Sequence, residues 1–340
     1  MGVSQFQLLV LLAVTLVLSW AFLGAFLLAD RLLHDRGRAR AAQDAAELAG
    51  DPDTARLLSR RRLRRLALGP PCEGAAVAAR VLVRRRRASL RAAAERPRPP
   101  AARLHALTIL VRGGDLRARR LLAAAVAGND RAMTSALLRL AAELPETEGD
   151  ELLLDVLVSG RHPRSRTATE LEPRATRLRD ELVELASVDD PELRYWAVSL
   201  LRASMDDPDV VDAVGRCAFD DHANVRAAAA EALGRAPATV ARPLLRLLLR
   251  DDLFYVRAHA ARAVAEAGRE ELAEELLPLL ADGNWWVRAA AKESLAALGD
   301  SGLAVAVAAL SHPDRFARDG ALEVIGASGR LVDAGVAEVA

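Results

Sequence analysis

The sequence predicts an all-α protein: an N-terminal transmembrane helix followed by an α-α superhelix of stacked helical pairs. Three observations carry this reading. A fifteen-residue pattern returns five times at near-constant spacing, the composition suits closely packed helices, and residues 1–29 carry no charged side chain.

The pattern reads VDDPELRYWAVSLLR (188–202), DDHANVRAAAAEALG (220–234), DDLFYVRAHAARAVA (251–265), DGNWWVRAAAKESLA (282–296) and HPDRFARDGALEVIG (312–326). Its arginines, Arg194, Arg226, Arg257, Arg288 and Arg318, are 32, 31, 31 and 30 residues apart. A fixed period in this range marks stacked units, each too small to bury a core alone. Such stacks present extended surfaces, which shifts the functional expectation from catalysis towards binding.

Hydrophobic residues make up 52% of the 340-residue chain but aromatics only 4%, and about a fifth of the chain is alanine. Small side chains and many charges suit helices in close contact. Lys292 is the only lysine, so 46 of the 47 basic residues are arginine. That bias, like the alanine content, fits high-GC coding and a bacterial source. Cys72 and Cys217 stand too far apart for a disulfide framework or a zinc motif, and read as small buried apolar residues. The net charge of +1 conceals an asymmetry. Residues 30–120 hold 23 arginines against 9 acids, and residues 121–340 hold 24 basic residues against 37 acids. The two halves are expected to face different partners.

Residues 5–29 form an uncharged apolar run of 25 residues, about 37 Å as a helix at roughly 1.5 Å per residue. A hydrocarbon core of about 30 Å is crossed by that length with some tilt. Trp20, Phe22 and Phe26 suit one interface. A cleaved signal peptide needs a basic start and a shorter apolar run, which MGVSQ and this segment do not offer. Phe6 stands where myristoylation wants Ser or Thr. Arg31, Arg36, Arg38 and Arg40 follow the span and face lipid headgroups in this reading. Positive flanks stay inside, so the expected topology is a single-pass cell-membrane protein with its C-terminal bulk in the cytoplasm.

Residues 30–100 read as an Arg-rich juxtamembrane helical region. Asp51-Pro52-Asp53 has the form of a helix start, and Leu57, Leu58, Leu63, Leu66 and Leu68 an apolar stripe. Arg60, Arg61, Arg62, Arg64 and Arg65, then Arg84 to Arg87, crowd these helices. Four successive arginines point around a helix and define no single face. They serve as solvated surface or as attraction for anionic lipid, worth about 1 kcal/mol each near the bilayer. Nucleic acid is disfavoured because no aromatic residues interleave the clusters. Arg96-Pro97-Arg98-Pro99-Pro100 reads as a stiff linker. Residues 101–184 read as degenerate repeats, with Ala102-Arg103, Ala106 and Leu110 in register and Met133, Ala136 and Leu140 one period later. A polar loop is expected at 159–173, with Thr167 and Thr169 as candidate phosphosites.

Residues 185–340 hold the strong repeats. Relative to the arginine, the preceding residue is Leu193, Val225, Val256, Val287 or Ala317. Three residues after it comes Ala197, Ala229, Ala260, Ala291 or Ala321, and seven after it Leu201, Leu233, Val264, Leu295 or Ile325. These offsets share one helical face, which must be buried. Apolar runs before the pattern, such as 244–249 and 276–281, make each unit helix, turn, helix. Asp220, Asp251 and Asp282 lie six residues before Arg226, Arg257 and Arg288. There a carboxylate can cap the second helix and meet the guanidinium of its own or an adjacent repeat, predicting an Asp–Arg ladder. The first and last units carry Val188 and His312 instead, with Asp189 or Asp314 as substitutes.

On these residues the chain resembles the HEAT-repeat family, in the short form of about 31 residues called PBS-lyase HEAT-like repeats. The resemblance covers 185–326 strongly and 100–145 weakly, and implies a right-handed α-solenoid whose surface binds other proteins. Some members act on bilin chromophores, so a repeat-based lyase is an alternative, as is nucleic-acid or anionic-lipid binding by the Arg-rich half. Tyr195, Trp196, Phe254, Tyr255, Trp285, Trp286 and Phe316 cluster around the arginines. They either wedge between repeats or form an edge for a partner protein. No nucleotide, hydrolase, zinc or calcium motif is present, so no catalytic residue, metal or cofactor is expected. The expected function is a membrane-anchored scaffold for a protein partner, such as a membrane enzyme or envelope complex in the same bilayer.

Overall fold

A computed structural model describes residues 39–96, 100–128, 133–268 and 270–328. The 5–29 span, Arg31, Arg36 and Arg38 lie outside the described residues. Among those described there are helices and turns and no strand, and no helix is long and apolar enough to cross a membrane. The chain divides into two compact units between Gly149 and Asp150.

The first unit begins with α1 (39–50) and a short 3-10 helix, Pro52–Arg56, capped by the Asp51 side chain. The expected leucine stripe breaks here: Leu57 is 88% exposed, and α2 (Arg60–Ala67) starts only after the Ser59 cap. Leu63 and Leu66 of α2 are buried. The unit continues through α3 (Glu73–Glu95), α4 (Pro100–Arg112), α5 (Ala118–Val126) and α6 (Thr134–Ala141). α3 and α4 pack along one another, so the Pro-rich segment at 96–100 joins helices of one unit rather than separating two domains. Gly74 sits where a Cβ would collide with the Ala45 carbonyl, and glycine alone lets α3 pass α1 that closely. α7 (Glu146–Ser159) carries the division between the units.

In the second unit, residues 164–171 are helical as α8 (Arg164–Leu171), where a loop is expected. The polar composition hides four buried residues, Arg164, Thr167, Ala168 and Leu171, which seat this two-turn helix on its neighbours. Thr167 is fully buried and so closed to modification; Thr169 spends its hydroxyl on the Ser165 carbonyl.

Five helical pairs follow. The first members are α9 (Arg179–Leu185), α11 (Pro208–Cys217), α13 (Ala238–Leu248) and α16 (Gly299–Ala309). In the fourth pair two 3-10 helices, Glu270–Leu276 and Pro278–Ala281, take that place, with Pro278 at the start of the second, where its missing N–H is tolerated. The second members are α10 (Pro191–Leu201), α12 (Ala223–Leu233), α14 (Phe254–Glu266), α15 (Trp285–Ala297) and α17 (Arg315–Ala327), and they pack side by side in that order.

All fifteen residues at the three apolar offsets are buried, and the five central alanines show no exposed surface. Burying each Val or Leu contributes about 1.5–3 kcal/mol, and the alanines let adjacent second helices approach. Cys217 is buried with its thiol pushed up to about 11 by desolvation, whereas Cys72, against expectation, is exposed at the open start of α3.

Candidate functional site

The arginines build the frame of the site. Arg194 donates from Nε and Nη2 to Asp220 at 2.7 and 2.8 Å. Arg226 does the same to Asp251 at 2.7 and 3.0 Å, and Arg257 to Asp282 at 2.8 and 2.9 Å. Each carboxylate thus belongs to the next repeat. The remaining Nη1 turns back to two carbonyls of the arginine's own turn, as Arg226 does to Asp220 and Asp221 at 2.8 and 3.2 Å. One guanidinium therefore closes its own turn and clamps the following one.

The aspartates do not cap the second helices, as the spacing had suggested. Asp220, Asp251 and Asp282 accept from the N–H two residues on, at His222, Leu253 and Asn284, which are themselves the N-cap positions. Burial alone would raise the pKa of Asp220 and Asp251. The arginine fork and the local backbone N–H overcome it and hold both below the usual carboxylate value.

The ladder departs from expectation at both ends. Asp189 offers only its backbone carbonyl to Arg194; Asp190 instead takes the fork of Arg164, at 2.6 and 3.2 Å. Arg164 also reaches Glu192 and the Leu157 carbonyl, each at 3.0 Å. Asp314 does not substitute either: it caps α17. Arg288, without a carboxylate partner among the described residues, lies over the Phe316 ring at 4.3 Å. Such a cation–π contact is worth about 0.5–1 kcal/mol when exposed.

A similar clamp stands in the first unit, at a residue the repeat register did not single out. Arg112 holds Glu143 at 2.6 and 2.8 Å and the carbonyls of Ala67 and Gly69 at 2.8 and 2.6 Å. Arg103, which the register favoured, bonds the Ala94 carbonyl instead. Arg112 follows a run of buried residues at the end of α4, and only its partner 31 residues on distinguishes it.

Of the aromatic residues on the second helices, Phe254, Trp285, Trp286 and Phe316 are exposed, and Tyr195, Trp196 and Tyr255 half-buried. Trp285 is 56% exposed, Trp286 48% and Phe316 50%. The two tryptophans stack at 4.0 Å, while Phe254–Tyr255 and Tyr195–Trp196 meet edge to face at 5.6 and 4.9 Å. Phe254 and Trp285 stand three residues before their arginines, Tyr255, Trp286 and Phe316 two before. Tyr195 and Trp196 stand one and two after Arg194, one helical turn further on along the same faces.

α12 breaks this stripe. Asn224 occupies the place of Tyr255 and Trp286, and Ala227 that of Tyr195. The gap is a cleft of about 510 Å³. Tyr195 and Trp196 line it from α10, Tyr255 and His259 from α14, and Asn224 and Ala227 from α12 between them; Pro191, Glu192 and His222 complete the lining. His259 is tied to Glu231 through Nδ1 at 2.7 Å. Clefts of roughly 300–1,000 Å³ with apolar walls and a few placed polar groups are the usual form of a binding site. The sequence signal was the missing aromatic in one repeat out of the series.

Residues 179–254 and 241–326 match the family model of HEAT repeats. Residues 179–326 of the second unit are thus similar to HEAT repeats, and their helical pairs stack as an α-solenoid. A comparison with curated protein sequences gave no match. Among solved structures, the chain is similar to an engineered protein at 20% identity, covering 87% of this chain and 93% of that one with a TM-score of 0.41. It is also similar to human deoxyhypusine hydroxylase in complex with glycerol, at 18% identity over 75% of this chain and 98% of that one, TM-score 0.30. A chain of the Kap95p–RanGDP structure matches at 14% identity over 85% of this chain and 47% of that one, TM-score 0.49. At such identities these likenesses bear on neither activity nor partner.

Proposed function

We propose that this protein is a scaffold held at a membrane by residues 5–29, which docks a partner protein on the second helices of its HEAT-type unit. The observation that carries the reading is the cleft over α12, walled by Tyr195, Trp196 and Tyr255 and continued by the exposed aromatics of α14, α15 and α17. Aromatic side chains offer large contact area at little entropic cost and dominate binding energy at interfaces. The reading is of a binding protein rather than an enzyme. Titratable groups along the cleft are engaged in ties between helices, Glu192 with Arg164 and His259 with Glu231. The charge-free run at 5–29 and the arginines after it support a single-pass topology with the solenoid in the cytoplasm. A membrane enzyme or envelope complex in the same bilayer is the partner class this topology favours.

The test is site-specific photo-crosslinking in intact membranes from positions 224 and 286, followed by mass spectrometry. One partner crosslinked from both positions and lost in Asn224→Trp, which fills the cleft without touching the core, supports the reading. An Asn224→Trp protein that folds and still captures that partner refutes the cleft as its site.

A further inference from the structure

The first unit contains a second cleft, of about 170 Å³, with a different chemistry. Arg60 and Arg64 of α2, Arg86 and Ser89 of α3 and His105 of α4 line its polar side. Its floor is apolar, with Leu82, Ala106 and Ile109 buried and Leu90 beside them. α3 is broken at Arg86, where the backbone leaves helical geometry with φ −144° and ψ 27°. Lining residues come from both sides of that break.

The arginines of this unit outnumber its acids, so only some of them are paired. Arg62 is paired with Asp44, Arg87 and Arg91 share Asp115, and Arg112 holds Glu143. Arg60, Arg64 and Arg86 have no carboxylate partner among the described residues. Arg64 instead approaches His105, with Nη2 3.1 Å from Nδ1. Partial burial, and then the Arg64 charge, lower the His105 pKa. A neutral imidazole accepting from Arg64 steadies that guanidinium without adding a competing anion. Three arginines without carboxylate partners lining one cleft suit a multivalent oxyanion, which forked N–H donors match well. The apolar floor calls for hydrocarbon next to that anion. No Phe, Tyr or Trp lines the cleft, which disfavours a nucleic-acid base.

We propose that this cleft binds the phosphate of an anionic phospholipid, with the arginines on the headgroup and the start of the acyl chains over Leu82 and Ile109. The space, several times the roughly 30 Å³ of a water molecule, admits a headgroup and not a whole lipid. The site is separate from the partner-docking cleft and stands or falls without it.

The experiment is calorimetric titration of the full chain, in a neutral maltoside detergent, with dihexanoyl phosphatidic acid. Dihexanoyl phosphatidylcholine and inorganic phosphate are the comparison arms. Phosphatidic acid is expected to bind at least about tenfold more tightly than either, because only it joins a dianion to hydrocarbon. The triple variant Arg60→Gln/Arg64→Gln/Arg86→Gln should weaken it by about tenfold or more, and Arg61→Gln/Arg84→Gln/Arg85→Gln, an equal charge loss outside the cleft, by less than about twofold. Equal losses in the two triples would mean diffuse attraction and overturn the site. Inorganic phosphate binding as tightly as the lipid would overturn the amphiphile. Should the cleft triple lose its helical circular dichroism, Arg86→Gln alone, at the exposed break in α3, should still cost about threefold, and no change in that variant counts against the site.

Discussion

Arg226 holds the carboxylate of Asp251, 25 residues downstream, through two nitrogens at 2.7 and 3.0 Å, while its third nitrogen closes the turn at Asp220 and Asp221. Both side chains are largely withdrawn from solvent, at 18% and 8% exposure. Arg226→Ala therefore leaves a shielded carboxylate with its main donor gone, and should cost about 2–3 kcal/mol in urea unfolding. Arg226→Lys should recover less than half of that, since an ammonium cannot span both oxygens and two carbonyls. Equal stability of the lysine variant and wild type would show that charge alone, without the fork, joins the repeats.

The same rungs set an acid limit. The folded pKa values of Asp220 and Asp251 lie below the ordinary value, the result of arginine and backbone hydrogen bonds prevailing over burial. A depressed folded pKa stabilises the fold above the unfolded value, and that contribution is lost as pH falls through the folded one. Stability should thus hold from neutrality to about pH 4 and decline below it. Asp251→Asn should be less stable at neutral pH and show a flatter decline in denaturation followed across the acid range.

The exposed aromatics predict a separation of binding from folding. Tyr255→Ala with Trp286→Ala should leave the far-UV circular dichroism unchanged and lower the melting temperature by no more than about 4 °C, a loss of up to about 1 kcal/mol. Partner co-purification should fall by at least about tenfold, the loss of one or two interface anchors. A collapse of helix content would assign these rings to packing between repeats.

Thr167 is a buried hydroxyl without a hydrogen-bond partner among the described residues. Thr167→Val replaces it with a methyl of similar shape, and should leave stability unchanged or raise it by up to about 1 kcal/mol. Thermal unfolding measures this directly, and a clear loss of stability would reveal a partner for the hydroxyl.

The core was readable in advance because three offsets repeated five times, so Ala229 or Leu233 could be placed in it by periodicity alone. The ladder was half readable. The spacing from Asp220 to Arg226 allowed a bond within one repeat as well as between two, and only the folded stack shows Asp220 meeting Arg194. α8 has no apolar stripe in RSRTATEL to announce it; the bonds from Arg164 to Asp190 and Glu192 join residues 26 and 28 apart in the chain. The cleft leaves no positive signal in the sequence, because it is a vacancy. Asn224 and Ala227 look unremarkable until the residues flanking them in space, not in sequence, are known to be Trp196 and Tyr255.

The change of partner at Arg288 has a mechanical consequence. Three successive junctions are riveted by a two-point ion pair, but the junction between α15 and α17 is joined at that place by a guanidinium resting on a ring that is half open to water. The Lys292–Glu323 pair ties the same two helices at the surface, but without a fork beside it amide hydrogen exchange should report the last helical pair opening before the rest. Phe316 then stands on the one helical pair whose joint lacks the fork, so opening there would displace this end of the aromatic edge first.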